Sequence, residues 1–73
     1  MSAPFTLTLW PIYDSPTDFP AGTFVARRFE LDNPTPDFVT GRTLAEVRAK
    51  IPPGLYNIGR YPQDDPKIVE VWI

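Results

Sequence analysis

Carboxylates and hydroxyls are the side chains of this chain that could do chemistry, because it contains no histidine and no cysteine. The commonest general base and the strongest nucleophile among side chains are therefore missing. Ser2 and Ser15 have no evident partner that would activate a hydroxyl group. We therefore expect no catalytic residues and a protein that is not an enzyme.

Six aspartates lie in segments rich in proline or glycine, and all of them except Asp32 are candidates for a carboxylate pair or a site for a hard cation. Their spacing does not favour either site. Asp64 and Asp65 stand between prolines in a short connection, and no loop has the glycine-punctuated alternation of a calcium loop. Aspartate is also a common turn former, because its carboxylate bonds to nearby backbone. The sequence thus favours turn formation and predicts no metal site for Asp14, Asp18, Asp37, Asp64 and Asp65.

A phosphate-binding loop is not indicated either, since the four glycines are scattered along the chain. Gly41, Arg42 and Thr43 do precede a predicted helix, whose free amide groups could attract an anion. We expect the carboxylate of Glu46 to occupy that position. The sequence therefore predicts no cofactor.

Length and charge limit the remaining functions. Seventy-three residues with 42% hydrophobic residues are enough for one small α+β domain over residues 1–73. The net charge of −2 gives no overall attraction for a polyanion. Residues 1–4 include no basic residue, and residues 5–10 alternate apolar residues with threonine, so we expect no signal peptide and a cytoplasmic location.

Local patterns predict four strands and one helix. The strand-like runs are residues 5–10, 23–31, 55–61 and 68–73, and the proline-rich stretches 11–22 and 32–42 are predicted loops. The helix is predicted over residues 43–51, where Thr43 and Glu46 have the spacing of a capping box. Leu44, Val47 and Ile51 then form one apolar stripe, and Pro52 ends the helix.

This order predicts a four-stranded mixed sheet with the short helix on one face. The two most apolar strands, the first and the last, are expected side by side in the centre, which gives the order 2-1-4-3. The arrangement resembles the β-grasp fold of ubiquitin-like domains, and the helix pattern from Thr43 to Ile51 is similar to theirs. The chain departs from the conjugated tags of that family, since it ends in Trp72 and Ile73 instead of two glycines. We therefore expect no tag function.

Strand alternation then assigns the two sheet faces. Leu7, Leu9, Val47, Val69 and Val71 are predicted core residues, and Val25, Phe29, Leu31 and Ile73 share their sheet face. The opposite face is predicted to carry aromatic, arginine and aliphatic side chains, with Thr6, Thr8 and Glu70 between them. These predicted partner-binding residues are Trp10, Phe24, Arg28, Tyr56, Arg60, Ile68 and Trp72.

Tryptophan, tyrosine and arginine are enriched at the centres of protein interfaces. The sequence therefore predicts a small binding or assembly module that forms a homodimer or binds another protein through this face. One alternative is that the same face stacks single-stranded nucleic acid on its aromatics. Another is a monomer in which the loops 11–22 and 32–42 cover the face. We infer no membrane partner and no small-molecule substrate.

Overall fold

The structure is a computed structural model that describes residues 7–31, 33–60 and 65–73. Phe5, Thr6, Asp32 and Asp64, to which some of the sequence predictions refer, lie outside these ranges. Within them the chain forms five strands and one helix. The strands are β1 (Thr8–Asp14), β2 (Phe24–Glu30), β3 (Asn33–Gly41), β4 (Asn57–Gly59) and β5 (Ile68–Trp72), and the helix α1 (Leu44–Lys50) lies between β3 and β4.

The predicted α+β class is confirmed, but the sheet differs in detail. Its order is β3-β2-β1-β5-β4, so the predicted neighbours are correct and one edge strand was missed. Every pairing is antiparallel, whereas a mixed sheet was predicted. The missed strand explains this difference, because the extra hairpin reverses the chain once more before the helix. The chain therefore returns along β5 antiparallel to β1, which differs from the β-grasp arrangement.

The missed strand β3 contains Pro34 and Pro36, which favoured a loop in the sequence prediction. Proline is tolerated here because β3 is an edge strand, whose outer side needs no backbone donor. The pairing with β2 also shifts between Arg27 and Phe29, which leaves extra residues on β3. Thr35 fills this irregularity, since its hydroxyl donates to the Arg28 carbonyl at 2.7 Å and its own carbonyl accepts from the Arg27 guanidinium at 3.1 Å.

The helix begins as predicted. The Thr43 hydroxyl accepts from the Glu46 backbone N–H at 3.1 Å, and the Glu46 carboxylate accepts from the Arg42 backbone N–H at 2.9 Å. Gly41 permits this helix start to lie close to β3, because a Cβ at Gly41 would stand only 2.8 Å from the Glu46 Cβ. The predicted stripe also packs on the sheet, with Val47 fully buried and Ile51 7% exposed.

The core lies between this helix and the sheet. Trp10, Ile12 and Ala26 pack with Val47 and Ile51 in one cluster. The partly buried side chains that pack against this cluster are Phe24, Val39, Leu44, Leu55 and Trp72. The helix therefore covers the sheet face that carries Trp10 and Trp72.

This result reverses the predicted assignment of the faces. The prediction ended the first strand at Pro11 and took Leu7 and Leu9 as core, but the strand continues through Pro11 to Asp14. Trp10 and Ile12 then share the helix face, where they bury more surface than the two leucines would. Leu7 is 36% exposed and Leu31 is 55% exposed, so neither is a core residue. Val47 is buried as predicted, whereas Val71 is buried on the sheet face away from the helix.

Candidate protein-interaction surface

The sheet face opposite the helix is apolar across four strands, and we call it the open face. It consists of rows of paired residues, because partners in an antiparallel ladder share a face. Phe29 pairs with Leu9, Pro11 with Val71, and Tyr13 with both Val25 and Ile68. Leu7 and Leu31 stand one step beyond Leu9 and Phe29. The open face consists of Leu7, Leu9, Pro11, Tyr13, Val25, Arg27, Phe29, Leu31, Pro34, Phe38, Thr40, Tyr56, Ile68, Val71 and Ile73.

Tyr56 belongs to the open face at its β4 margin. It exchanges two backbone hydrogen bonds with Ile73, of 2.7 and 3.0 Å. Trp72 lies on the helix face, so Ile73 and its partner Tyr56 point to the opposite side. Extending the pairing of Trp10 with Trp72 by one residue places Ile73 beside Leu9. A continuous apolar row therefore runs from Phe29 through Leu9 and Ile73 to Tyr56.

Large apolar side chains are exposed mainly on this face. In the part of the chain that the structure describes, five large hydrophobic residues are exposed, namely Tyr56 (77%), Leu31 (55%), Phe38 (46%), Ile58 (39%) and Leu7 (36%). Four of these five, all but Ile58, lie on the open face. Between them is a shallow groove of about 160 Å³ lined by Leu9, Pro11, Tyr13, Phe29, Leu31, Ile68 and Val71. None of its lining residues is charged.

One end of the open face is covered by the loop of residues 15–23. Phe19 from this loop packs edge-on against Phe38, with ring centroids 5.5 Å apart, and the Arg27 guanidinium lies 5.5 Å from the Phe38 ring centroid. Asp18 and Arg27 line the recess under the loop. One residue of each charge therefore lies at this end, Arg27 on the face and Asp18 in the loop. Among the residues that the structure describes, no loop covers the end around Leu9 and Leu31 in this way.

The predicted partner-binding residues divide between the two faces. Trp10, Phe24 and Trp72 lie on the helix face, with Trp10 in the core cluster and the other two packed against it. Their prediction as residues of the face away from the helix is wrong, because the strand phase was reversed. The indoles form core instead, since they are the largest apolar groups that the helix can cover.

Arg28 also lies on the helix face, where it contacts Asp37 at 2.7 Å and Glu30 at 2.8 Å. Its predicted position on the face away from the helix is wrong for the same reason. Ile68 and Tyr56 do lie on the open face. Arg60 is exposed and follows the last residue of β4. The structure therefore brings two of the seven predicted residues, Ile68 and Tyr56, together on the open face.

The predicted interface missed Leu9, Phe29 and Leu31, which were taken as core. A signal for them was present in the sequence, because Ile12 continues the alternation of Trp10 beyond Pro11. Extending the strand in this way places the larger side chains, Trp10 and Ile12, on one face. The leucines then fall on the other face.

Leu31 has an unusual backbone conformation in addition to its exposure. It stands in the two-residue connection between β2 and β3 with a φ of 58°, and its backbone N–H donates to the Leu7 carbonyl at 2.8 Å. This left-handed region disfavours leucine by roughly 1–2 kcal/mol and suits glycine, asparagine or aspartate. An exposed leucine in such a turn is thus unfavourable for the isolated chain both in conformation and in solvation.

An ion pair between a buried glutamate and a partly exposed arginine supports the sheet from the helix side. Glu70 of β5 is 5% exposed and accepts from Arg48 Nε at 2.8 Å and Nη2 at 2.6 Å, and from Trp72 Nε1 at 2.6 Å. The Arg48 guanidinium, with further help from the Trp72 and Asn57 hydrogen bonds, lowers the pKa of Glu70 below its usual value despite burial. This network links α1 to β5 and β4, so it holds the scaffold of the open face.

The aspartates of the described chain form no cluster. Asp14 accepts from the Ser15 hydroxyl, Asp37 pairs with Arg28, and Asp65 accepts from the Lys67 backbone N–H at 2.9 Å. No group of three or more potential metal ligands occurs among the residues that the structure describes. The chemistry that the open face offers is therefore apolar contact with aromatic and aliphatic groups.

Comparison with known protein families, curated proteins and solved structures finds no match to this chain. Within the described ranges, the single helix is too short and too polar to cross a membrane.

Proposed function

We propose that this chain is a small non-catalytic binding or assembly module, and that the open face is the surface on which it docks another polypeptide. The observation that carries the proposal is the concentration of exposed large apolar side chains on this one face. Soluble proteins rarely expose contiguous apolar patches unless these are interaction sites. The docking residues are Leu7, Leu9, Phe29, Leu31, Tyr56, Ile68 and Ile73.

The two central strands give a second argument. β1 and β5 carry apolar side chains on both faces, a pattern typical of strands that are covered on both sides. The helix covers one side, and the loop of residues 15–23 covers only the end of the other side near Tyr13 and Val25. A partner polypeptide would supply the missing layer over Leu9 and Phe29.

Binding of single-stranded nucleic acid on the same face is the less favoured function, because three of the five arginines are placed or paired unfavourably for phosphate. Arg28 and Arg48 lie on the helix side in contact with carboxylates. Arg27, on the open face, lies over Phe38 and donates to a backbone carbonyl. Binding of a single strand normally requires a positively charged groove beside the stacking aromatics.

Site-specific photo-crosslinking in the cells that naturally produce the protein tests the proposal. A benzophenone amino acid replaces Leu31 on the open face, and in the control it replaces Ala45, which is exposed on the helix. We expect position 31 to form adducts with a polypeptide that mass spectrometry identifies, and position 45 to form few. Adducts with nucleic acid alone, or no protein adduct at position 31 above the control, would show that the proposal is wrong.

A further inference from the structure

We infer that the polypeptide covering the open face is a second copy of this chain, packed sheet against sheet about a two-fold axis. This inference rests on the proposed function and names its partner. In such a dimer the two open faces form the middle of a four-layer stack, with one helix on each outer side. Each copy supplies the layer that the other lacks.

The charges of the open face favour a second copy over a charged partner. The groove residues are uncharged, so two identical faces meet there without repulsion. The one strand arginine of the face, Arg27, lines the same recess as Asp18. A two-fold contact presents the same residues on both sides, and this balanced pair leaves no excess charge to repel a copy or to attract a polyanion. The open face can therefore pack against an identical face without charge repulsion.

The sheet edges disfavour the other common way in which copies associate. β3 has Pro34 and Pro36 together with a pairing irregularity, and these features hinder the addition of another strand. The opposite edge, β4, has only three residues. Both edges of the described sheet are therefore poor templates for strand addition, which leaves face-to-face packing.

The available area matches a weak dimer. β1 and β2 have seven residues each. At about 3.4 Å per residue and about 4.8 Å between strands, four strands form a plane of roughly 24 by 19 Å. Two such planes measure about 900 Å² together, and without the end under the loop 15–23 they bury roughly 700 Å² in total, which is below the size of a stable interface and fits a weak, transient contact. We therefore expect dimerisation only at high protein concentration, with a dissociation constant on the order of 100 µM.

Leu31 is the best position at which to test the dimer. Its side chain is more than half exposed, and aspartate is better suited than leucine to its left-handed backbone, so Leu31→Asp should fold. In a dimer, however, the variant places a carboxylate in an apolar contact. Ala45→Asp is the matched control, because it adds the same charge in the first turn of α1, where a carboxylate is favourable.

Sedimentation velocity over a concentration series measures the effect. We expect the parent and Ala45→Asp to dimerise alike and Leu31→Asp to raise the dissociation constant at least about tenfold, with circular dichroism unchanged. The parent is also studied as a mixture of isotope-labelled and unlabelled copies. Nuclear Overhauser contacts between copies should then involve Leu9, Phe29 and Leu31, and this measurement requires no variant.

Two results would overturn the inference. One is a parent that stays monomeric up to about 1 mM, well above the dissociation constant expected for so small an interface. The other is a dimer whose intermolecular contacts lie on the helix or on a sheet edge. Photo-crosslinking at position 31 separates either result from failure of the proposed function. Adducts with a different protein would support the open face as a docking surface and exclude only the second copy as its partner.

Discussion

Replacing Glu70 with glutamine tests whether the Arg48–Glu70 ion pair holds the helix on the sheet. Glutamine keeps the shape of the side chain, and its single oxygen can still accept from Trp72 and from Arg48 Nε. Its amide group, however, faces Arg48 Nη2, where Glu70 now accepts at 2.6 Å. The substitution therefore removes the hydrogen bond from Arg48 Nη2. The hydrogen bonds from Arg48 Nε and Trp72 Nε1 remain, but their acceptor no longer carries a charge.

Hydrogen bonds to charged groups contribute about 1.5–3 kcal/mol each, and Glu70 is almost fully buried. Arg48 is partly exposed and regains water in the variant, so we expect a loss near the middle of that range, about 2 kcal/mol. In a domain of this size that loss lowers the melting temperature by about 8–16 °C. Differential scanning calorimetry at pH 7 measures it.

The pH dependence of stability provides a second readout of the same substitution. The pKa of Glu70 is lowered in the folded chain, from a usual value of 4.5, chiefly by the Arg48 hydrogen bonds. A carboxyl group whose folded pKa is lowered adds stability above its unfolded pKa, and that stability is lost as the pH falls through the folded pKa. We expect the parent to lose this contribution below about pH 4.5 and Glu70→Gln to lack it. A variant that melts within about 2 °C of the parent at pH 7 would refute the reasoning.

Two further substitutions test the cap and the face assignment. Thr43→Ala should lower the free energy of unfolding by about 1 kcal/mol, because the hydroxyl that accepts from the Glu46 amide is lost. Thr43→Ser should stay near the parent, since the serine hydroxyl can also accept from that amide. Equal losses for the two variants in chemical denaturation would exclude the cap. Trp72→Lys should lower the melting temperature strongly, because Trp72 packs against the core and donates to Glu70; a variant that melts like the parent but loses self-association would restore the original face assignment.

The helix could be predicted from the sequence because its signals are local. The Thr43 cap, the stripe through Val47 and the stop at Pro52 act within a few residues of one another, so tertiary contacts change little. β3 could not be predicted in this way. Pro34 and Pro36 are strand breakers in most settings, and only the position of β3 at a sheet edge makes them acceptable. That position is set by the whole fold.

The prediction of which β1 side chains face the helix failed for a different reason, because two sets of alternating side chains are apolar. Leu7 and Leu9 give one apolar face, and Trp10 and Ile12 give the other. A period of two cannot choose between them, and the choice depends on where the strand ends. Pro11 misled the prediction because it lies within a central strand. The β1–β2 ladder pairs Leu9 with Phe29 and next pairs Ile12 with Ala26, so no pair forms with β2 around the proline.

The proposed docking surface does not depend on that phase, because β1 and β5 are apolar on both sides. Whichever face the helix takes, the other remains apolar, and a helix of seven residues cannot cover both. The phase decides only which residues are left for a partner. The inverted assignment left Trp10 and Trp72, whereas the structure leaves Leu9, Phe29 and Leu31. The left-handed backbone of Leu31 has a local cause, because two-residue hairpin turns favour positive φ, and the proposed partner would cover the side chain that this turn leaves exposed.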